Sequence, residues 1–95
     1  MQKLATSSGL KSADSQITLL ESTVTAVQLV AAGAAATLIV YEGTSSSGLA
    51  VAIINAAAGT SNSVTFNKPV VCNTGVFADV TGAGATYIVH FVPGT

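Results

Sequence analysis

From residue 17 to residue 92, short runs of Val, Ile, Leu and Thr alternate with clusters of Gly, Ser, Asn and Thr. Within the runs apolar and polar side chains tend to take turns, and a period of two is the spacing of a strand with one buried face. This pattern predicts strands over 17–21, 23–31, 35–42, 49–55, 63–67, 70–72, 76–80 and 85–92. The breaks between them carry turn chemistry: Gly33, the polar loop Gly43-Thr-Ser-Ser-Ser-Gly48, Ala58-Gly-Thr-Ser-Asn62, Asn73-Thr-Gly75 and the tight Thr81-Gly-Ala-Gly84. Pro69 has no amide proton to give a central ladder, so the 68–72 piece belongs at a strand start or a sheet edge.

Helix is the competing reading for 24–36, because alanine is the best helix former. Val24, Thr25, Val27 and Val30 stand in front of Gly33, a Thr-Leu-Ile-Val-Tyr run follows, and no capping residue opens a helical stripe, so strand is preferred. The expected fold is all-β, a single antiparallel β-sandwich of jelly-roll or immunoglobulin-like type with about seven or eight short strands. One domain, 16–95, accounts for the pattern. Residues 1–15 read differently, with Lys3, Lys11 and Asp14 set among Ser, Thr and Gly without periodicity, as in a flexible or partner-ordered arm.

Two segments resemble each other. Gly33-Ala-Ala-Ala-Thr-Leu-Ile-Val40 and Gly82-Ala-Gly-Ala-Thr-Tyr-Ile-Val89 agree without gaps at six of eight positions, as two equivalent turn-plus-strand units of a pseudo-symmetric sandwich would, or as convergence in an Ala-rich chain would. Alternation sends Leu38, Val40, Tyr87, Val89 and Phe91 to the core. It turns Thr37, Ile39, Tyr41, Thr86, Ile88 and His90 outward. Ile39, Tyr41 and Ile88 are poor company for water, so a neighbour is expected to cover them.

Charge sharpens that expectation. Only 7% of the 95 residues are charged, against about a quarter in ordinary globular domains. Between 17 and 92 the charges are Glu21, Glu42, Lys68 and Asp79 alone. A 9.3 kDa body shows water about 5,000 Å² by size scaling, so each of these would have to keep more than about 1,000 Å² soluble. The single Cys72 makes no intrachain disulfide, which leaves oligomerisation as the route to stability for so small a core. A homo-oligomer is expected, with a trimer favoured.

Three Lys, no Arg and a net charge of −1 argue against a nucleic-acid partner. The apolar stretch 26–41 contains Gln28, Gly33 and Thr37, lacks flanking Lys or Arg, and is shorter than the roughly 20 residues a span needs, so no membrane association is expected. The start, Met-Gln-Lys-Leu-Ala-Thr-Ser-Ser-Gly, has no apolar run behind its one charge; synthesis and assembly in a cytoplasm, with Cys72 reduced, are expected.

No catalytic constellation emerges. His90 lies between Val89 and Phe91 with no nucleophile elbow in the chain, which makes it a face or interface residue. Cys72 follows Val70-Val71 and reads as a small buried hydrophobe. Gly82-Ala-Gly84 has no following Lys and runs into a strand, unlike a phosphate loop. Glu21, Glu42 and Asp79 fall at strand ends or turns, far apart in sequence. No catalytic, cofactor-binding or metal-binding residue is assigned, and neither an enzymatic role nor a small-molecule substrate is expected.

The succession Ile17-Thr-Leu-Leu20, Thr37-Leu-Ile-Val-Tyr-Glu-Gly-Thr-Ser-Ser-Ser-Gly48 and Gly75-Val-Phe-Ala-Asp-Val-Thr-Gly-Ala-Gly-Ala-Thr-Tyr-Ile-Val-His-Phe91 resembles small β-sandwich structural proteins of tailed-bacteriophage virions, including capsid decoration or cement proteins. The resemblance spans most of 17–92 and rests on strand and turn rhythm. It implies a passive role in which many copies stabilise a shell through contact area, with a major capsid or other virion protein as partner, and it brings no active-site residues. The location implied is the virion, assembled in the host bacterial cytoplasm. The rival reading is a carbohydrate-binding or adhesin-like recognition module of a phage tail or fibre, for which Tyr41, Phe66, Phe77, Tyr87 and Phe91 are the whole aromatic inventory.

Overall fold

Alternation along the chain becomes two four-stranded sheets in the computed structural model, which describes residues 6–94. The strands are β1 (Thr6–Ser7), β2 (Ser15–Thr18), β3 (Ser22–Val30), β4 (Ala36–Glu42), β5 (Leu49–Ala56), β6 (Ser61–Cys72), β7 (Val76–Thr81) and β8 (Thr86–Pro93). One sheet has the order β1-β8-β3-β6 and the other β2-β7-β4-β5, and every pairing is antiparallel. β1 therefore meets β8, β2 meets β7, β3 meets β6 and β4 meets β5, and these pairs fall in alternate sheets. That wiring, a long folded hairpin rolled into a sandwich, is a jelly roll.

The core is the space between the sheets. Val24, Val27 and Leu29 of β3 and Tyr87, Val89 and Phe91 of β8 face Leu38 and Val40 of β4 and Val76 and Ala78 of β7. Val and Ala make up most of the buried core. In β3 the buried positions run Val24 and then Val27, Leu29, a change of parity that needs an extra residue. Thr25 is that residue: Val24 pairs with Phe91 and Ala26 with His90, so nothing on β8 faces Thr25. The Thr25 hydroxyl donates to the His90 carbonyl at 3.2 Å, which fastens the bulge.

The wiring has a pseudo-two-fold in which strand n corresponds to strand n+4, since the order β1-β8-β3-β6 maps onto β5-β4-β7-β2. β4 and β8 correspond under it, and they are the two strands that carry the internal similarity. Ala36, Leu38 and Val40 are buried in one sheet, as Ala85, Tyr87 and Val89 are in the other. Their leading turns meet at the same end of the sandwich: a Cβ on Gly84 would stand 3.0 Å from the Ala32 Cβ, and one on Gly82, whose φ is +113°, only 2.7 Å from the Ala35 carbonyl oxygen.

Several local expectations shift. The runs 63–67 and 70–72 belong to one strand, β6, whose pairing with β3 is interrupted where Phe66-Asn-Lys-Pro69 lies opposite Thr25 alone. The first main strand is Ser15–Thr18 rather than 17–21, and Leu19 and Leu20 lie beyond it, 70% and 63% exposed. Of the segment 1–15 read as an arm, residues 1–5 lie outside the described residues. Residues 6–14 run along the outer edge of β8 and cross to the second sheet, where β2 begins.

Candidate functional site

Inner and outer assignments follow the alternation, but the outward residues are divided between two opposite faces. Ile88 and His90 lie on the outside of the β1-β8-β3-β6 sheet; Ile39 and Tyr41 lie on the outside of the β2-β7-β4-β5 sheet. The second face carries the more coherent surface. Ile39 stands between Ile53 of β5 and Asp79 of β7, and Tyr41 between Ala50 and Phe77. Thr37, flanked by Asn55 and Thr81, closes one end with a hydroxyl that donates to the Asn55 side-chain oxygen at 2.8 Å. Ile53 is 63% exposed. Ile39, Ile53, Tyr41 and Phe77 thus share one outer face, with the Asp79 carboxyl beside Ile39.

This face is held rigid at its other end by Gln16. The two N–H groups of its side-chain amide are shared among three carbonyls, those of Thr18 at 2.8 Å, Val76 at 2.9 Å and Gly43 at 3.0 Å, so one side chain joins β2, β7 and the β4–β5 loop. Glu42 adds a further tie by accepting the Asn73 amide at 2.9 Å. Gly75 completes the junction, with φ +118° and no room for a Cβ, which would lie 2.7 Å from the Thr18 carbonyl oxygen.

Asp79 has a neighbour that the sequence does not suggest. Asp14 approaches it from the segment before β2 while accepting the Val80 amide at 2.8 Å. Burial, then the Asp14 charge and a hydrogen bond between the two carboxyls, raise the Asp79 carboxyl above the usual carboxylate range. Two acids without a third ligand do not form a metal site; among the described residues no group of three or more His, Cys, Asp or Glu side chains stands close enough to hold an ion.

The remaining residues of chemical interest are dispersed. His90 and Asp79 lie on opposite outer faces and cannot act together. Cys72 is fully buried at the end of β6, where burial and then the Glu42 charge push its thiol up to about 11. Glu21 is exposed in the β2–β3 loop, its carbonyl accepting the Gly94 amide. A shallow groove of about 410 Å³ where β3 meets β6 is lined by Gln28, Leu29, Val30, Ser61, Asn62 and Ser63, none of which serves as a general acid or base. Among the described residues no helix is long and apolar enough to cross a membrane.

Compared with known proteins, the chain matches no family model, no curated protein and no solved structure.

Proposed function

We propose that this chain is a structural protein of a tailed-phage virion, a decoration or cement component that acts through contact area and without catalysis. The observation that carries the reading is the largely apolar β2-β7-β4-β5 face, where Ile39, Tyr41, Ile53 and Phe77 lie together, with Asp79 beside Ile39, on a body that shows water 5057 Å². Four strands about 4.8 Å apart and about six residues long offer roughly 300–400 Å² of flat face, half or less of what one partner contributes to a standard interface. Covering such a body takes more than one neighbour, as happens in a ring or on a shell. A trimer seated on a major capsid protein meets that need. Jelly rolls recur in capsid and lectin domains, which is support by analogy only.

A second reading is favoured by one observation, the cross-strand pair Tyr41 and Phe77 on an open sheet, which is the kind of aromatic platform that sugar-binding modules use. The two readings separate on particles. In the virion reading, removing the protein lowers resistance of the particles to heat and osmotic shock, and Ile53→Lys reduces its occupancy on them while leaving the fold intact. Unchanged particle resistance, together with glycan binding lost on Tyr41→Ala, would favour the recognition module.

A further inference from the structure

Residues 6–14 form a strap along β8, and its manner of attachment is unusual for a piece of core fold. The Ser8 amide donates to the Val89 carbonyl at 2.9 Å, and the Val89 amide donates back to the Ser8 hydroxyl at 2.9 Å. Lys11 and Tyr87 exchange both main-chain bonds at 2.9 Å. The Tyr87 hydroxyl donates to the Ala13 carbonyl at 2.7 Å, and the Val80 amide donates to Asp14 at 2.8 Å. All of these are polar contacts. The strap's one large apolar side chain, Leu10, is 67% exposed, and no residue from Thr6 to Asp14 is buried.

Two consequences follow. Without an apolar anchor, little but hydrogen bonding and the tether keeps the strap on its own body, and the same bonds form equally well on another copy. Lifted off, the strap leaves the main-chain groups of Tyr87 and Val89 as an open edge that requires a strand. Two of the other edges, β5 and β6, are poor templates. β5 is bulged at Val51 and its Asn55 carbonyl is already taken by the Asn62 side chain at 2.9 Å, while β6 is broken around Lys68 and Pro69.

We infer that the β8 edge is a strand-exchange site, occupied in the assembled protein by residues 6–11 of a second copy. Ser12, Ala13 and Asp14 are the hinge, all exposed, and they reach about 10–13 Å when extended. That reach brings the β1–β2 side of one sandwich against the β8 edge of the next. Leu10 then lies at the seam between two bodies instead of in water. Mutual exchange gives a two-fold dimer, and exchange in one direction closes a ring. This arrangement does not depend on the virion reading, because it involves only copies of this chain.

The register supplies the test. Ser7 faces His90 directly. The adjoining residues Ser8 and Val89 exchange hydrogen bonds, which makes 7 and 90 a non-bonded pair with the close Cα spacing a disulfide accepts. Full-length Ser7→Cys and His90→Cys chains are mixed at about 1 mM, comparable to the millimolar effective concentration of a short tether, and oxidised mildly. Ser7→Cys mixed with Ser63→Cys gives the collisional background, and circular dichroism verifies that each variant is folded. Exchange predicts a mixed covalent dimer at least about tenfold above that background. A yield at background overturns the proposal whether or not the Ser7→Cys/His90→Cys double variant closes its own disulfide. As a measurement free of cysteine variants, native mass spectrometry of the unaltered protein over the same concentration range should show a growing closed oligomer; a monomer throughout also overturns it.

Discussion

The Tyr87 hydroxyl gives its proton to the Ala13 carbonyl at 2.7 Å and accepts from the Ser15 hydroxyl at 2.9 Å, joining a core residue of β8 to the segment that leads into the other sheet. Tyr87 is otherwise enclosed, at 1% exposure. Tyr87→Phe keeps the ring and removes both bonds. Because Ala13 is exposed and water can replace its partner, the expected cost is about 1 kcal/mol, near the value of one net hydrogen bond. Denaturant titration should show a lower midpoint with an unchanged slope, and amide exchange at Ser8 and Lys11 should quicken as the strap loosens.

Gly33 and Gly82 hold equivalent places in the two similar segments, yet only one is tied to glycine. Gly82→Ala places a Cβ 2.7 Å from the Ala35 oxygen and 2.9 Å from the Ala36 Cα at φ +113°, and is expected to cost about 1–3 kcal/mol. Nothing lies within 4 Å of a Cβ on Gly33, so Gly33→Ala should be within about 0.5 kcal/mol of neutral or slightly stabilising. Equal effects in thermal unfolding would mean that the two turns do not meet as described.

Asp79 gives the protein a pH dependence of definite sign. Burial first, and then Asp14, raise its folded value, so the folded state holds this proton more tightly than the unfolded chain does. Stability from this group is therefore greatest at low pH and is lost as pH rises from about 4 through the raised folded value. Asp79→Asn removes that loss. The variant should melt higher than the parent at pH 7, and the difference should shrink toward pH 4. A parent and variant whose melting temperatures run parallel across this range would contradict the assignment.

Cys72 should be chemically silent while the protein is folded. With its thiol pushed up to about 11 and its surface fully covered, the thiolate fraction near pH 8 is on the order of a thousandth. Alkylation by iodoacetamide should be at least about a hundredfold slower than for an exposed thiol and should track unfolding in denaturant. Rapid labelling under native conditions would mean that the end of β6 opens.

Strands were legible in the sequence because most are short apolar runs bounded by turn residues, and the inward residues of β4 and β8 follow from alternation alone. Parity says which side of a strand a residue occupies but not which sheet the strand joins, and so Ile39 and Ile88 come out on opposite faces of the molecule. The interruption in β6 was visible at Pro69, but its meaning was not, because pairing resumes at Val70 opposite Val24 through a contact distant in sequence. β1 left no trace, since a two-residue strand held by backbone and hydroxyl groups needs no apolar pattern. The meeting of Asp14 with Asp79 depends on tertiary folding and has no local signal. The run Ile17-Thr-Leu-Leu20 misleads in the other direction, because its two leucines are exposed rather than part of a strand.

In the proposed role the outer faces bear on assembly rather than on folding. Ile53, 63% exposed, contributes little to the core, so Ile53→Lys should change stability by less than about 0.5 kcal/mol while weakening self-association or particle binding. Light scattering and denaturant unfolding on the same samples separate the two effects. Loss of both together would assign Ile53 to the fold.

The central claim, that this chain is a structural component of a virion, is tested most directly by quantitative mass spectrometry of purified particles. A virion component is expected in a fixed ratio to the major capsid protein, at a copy number fitting a symmetric assembly, and retained through density-gradient purification. Its absence from purified particles, with the chain present only in infected cells, would contradict the claim.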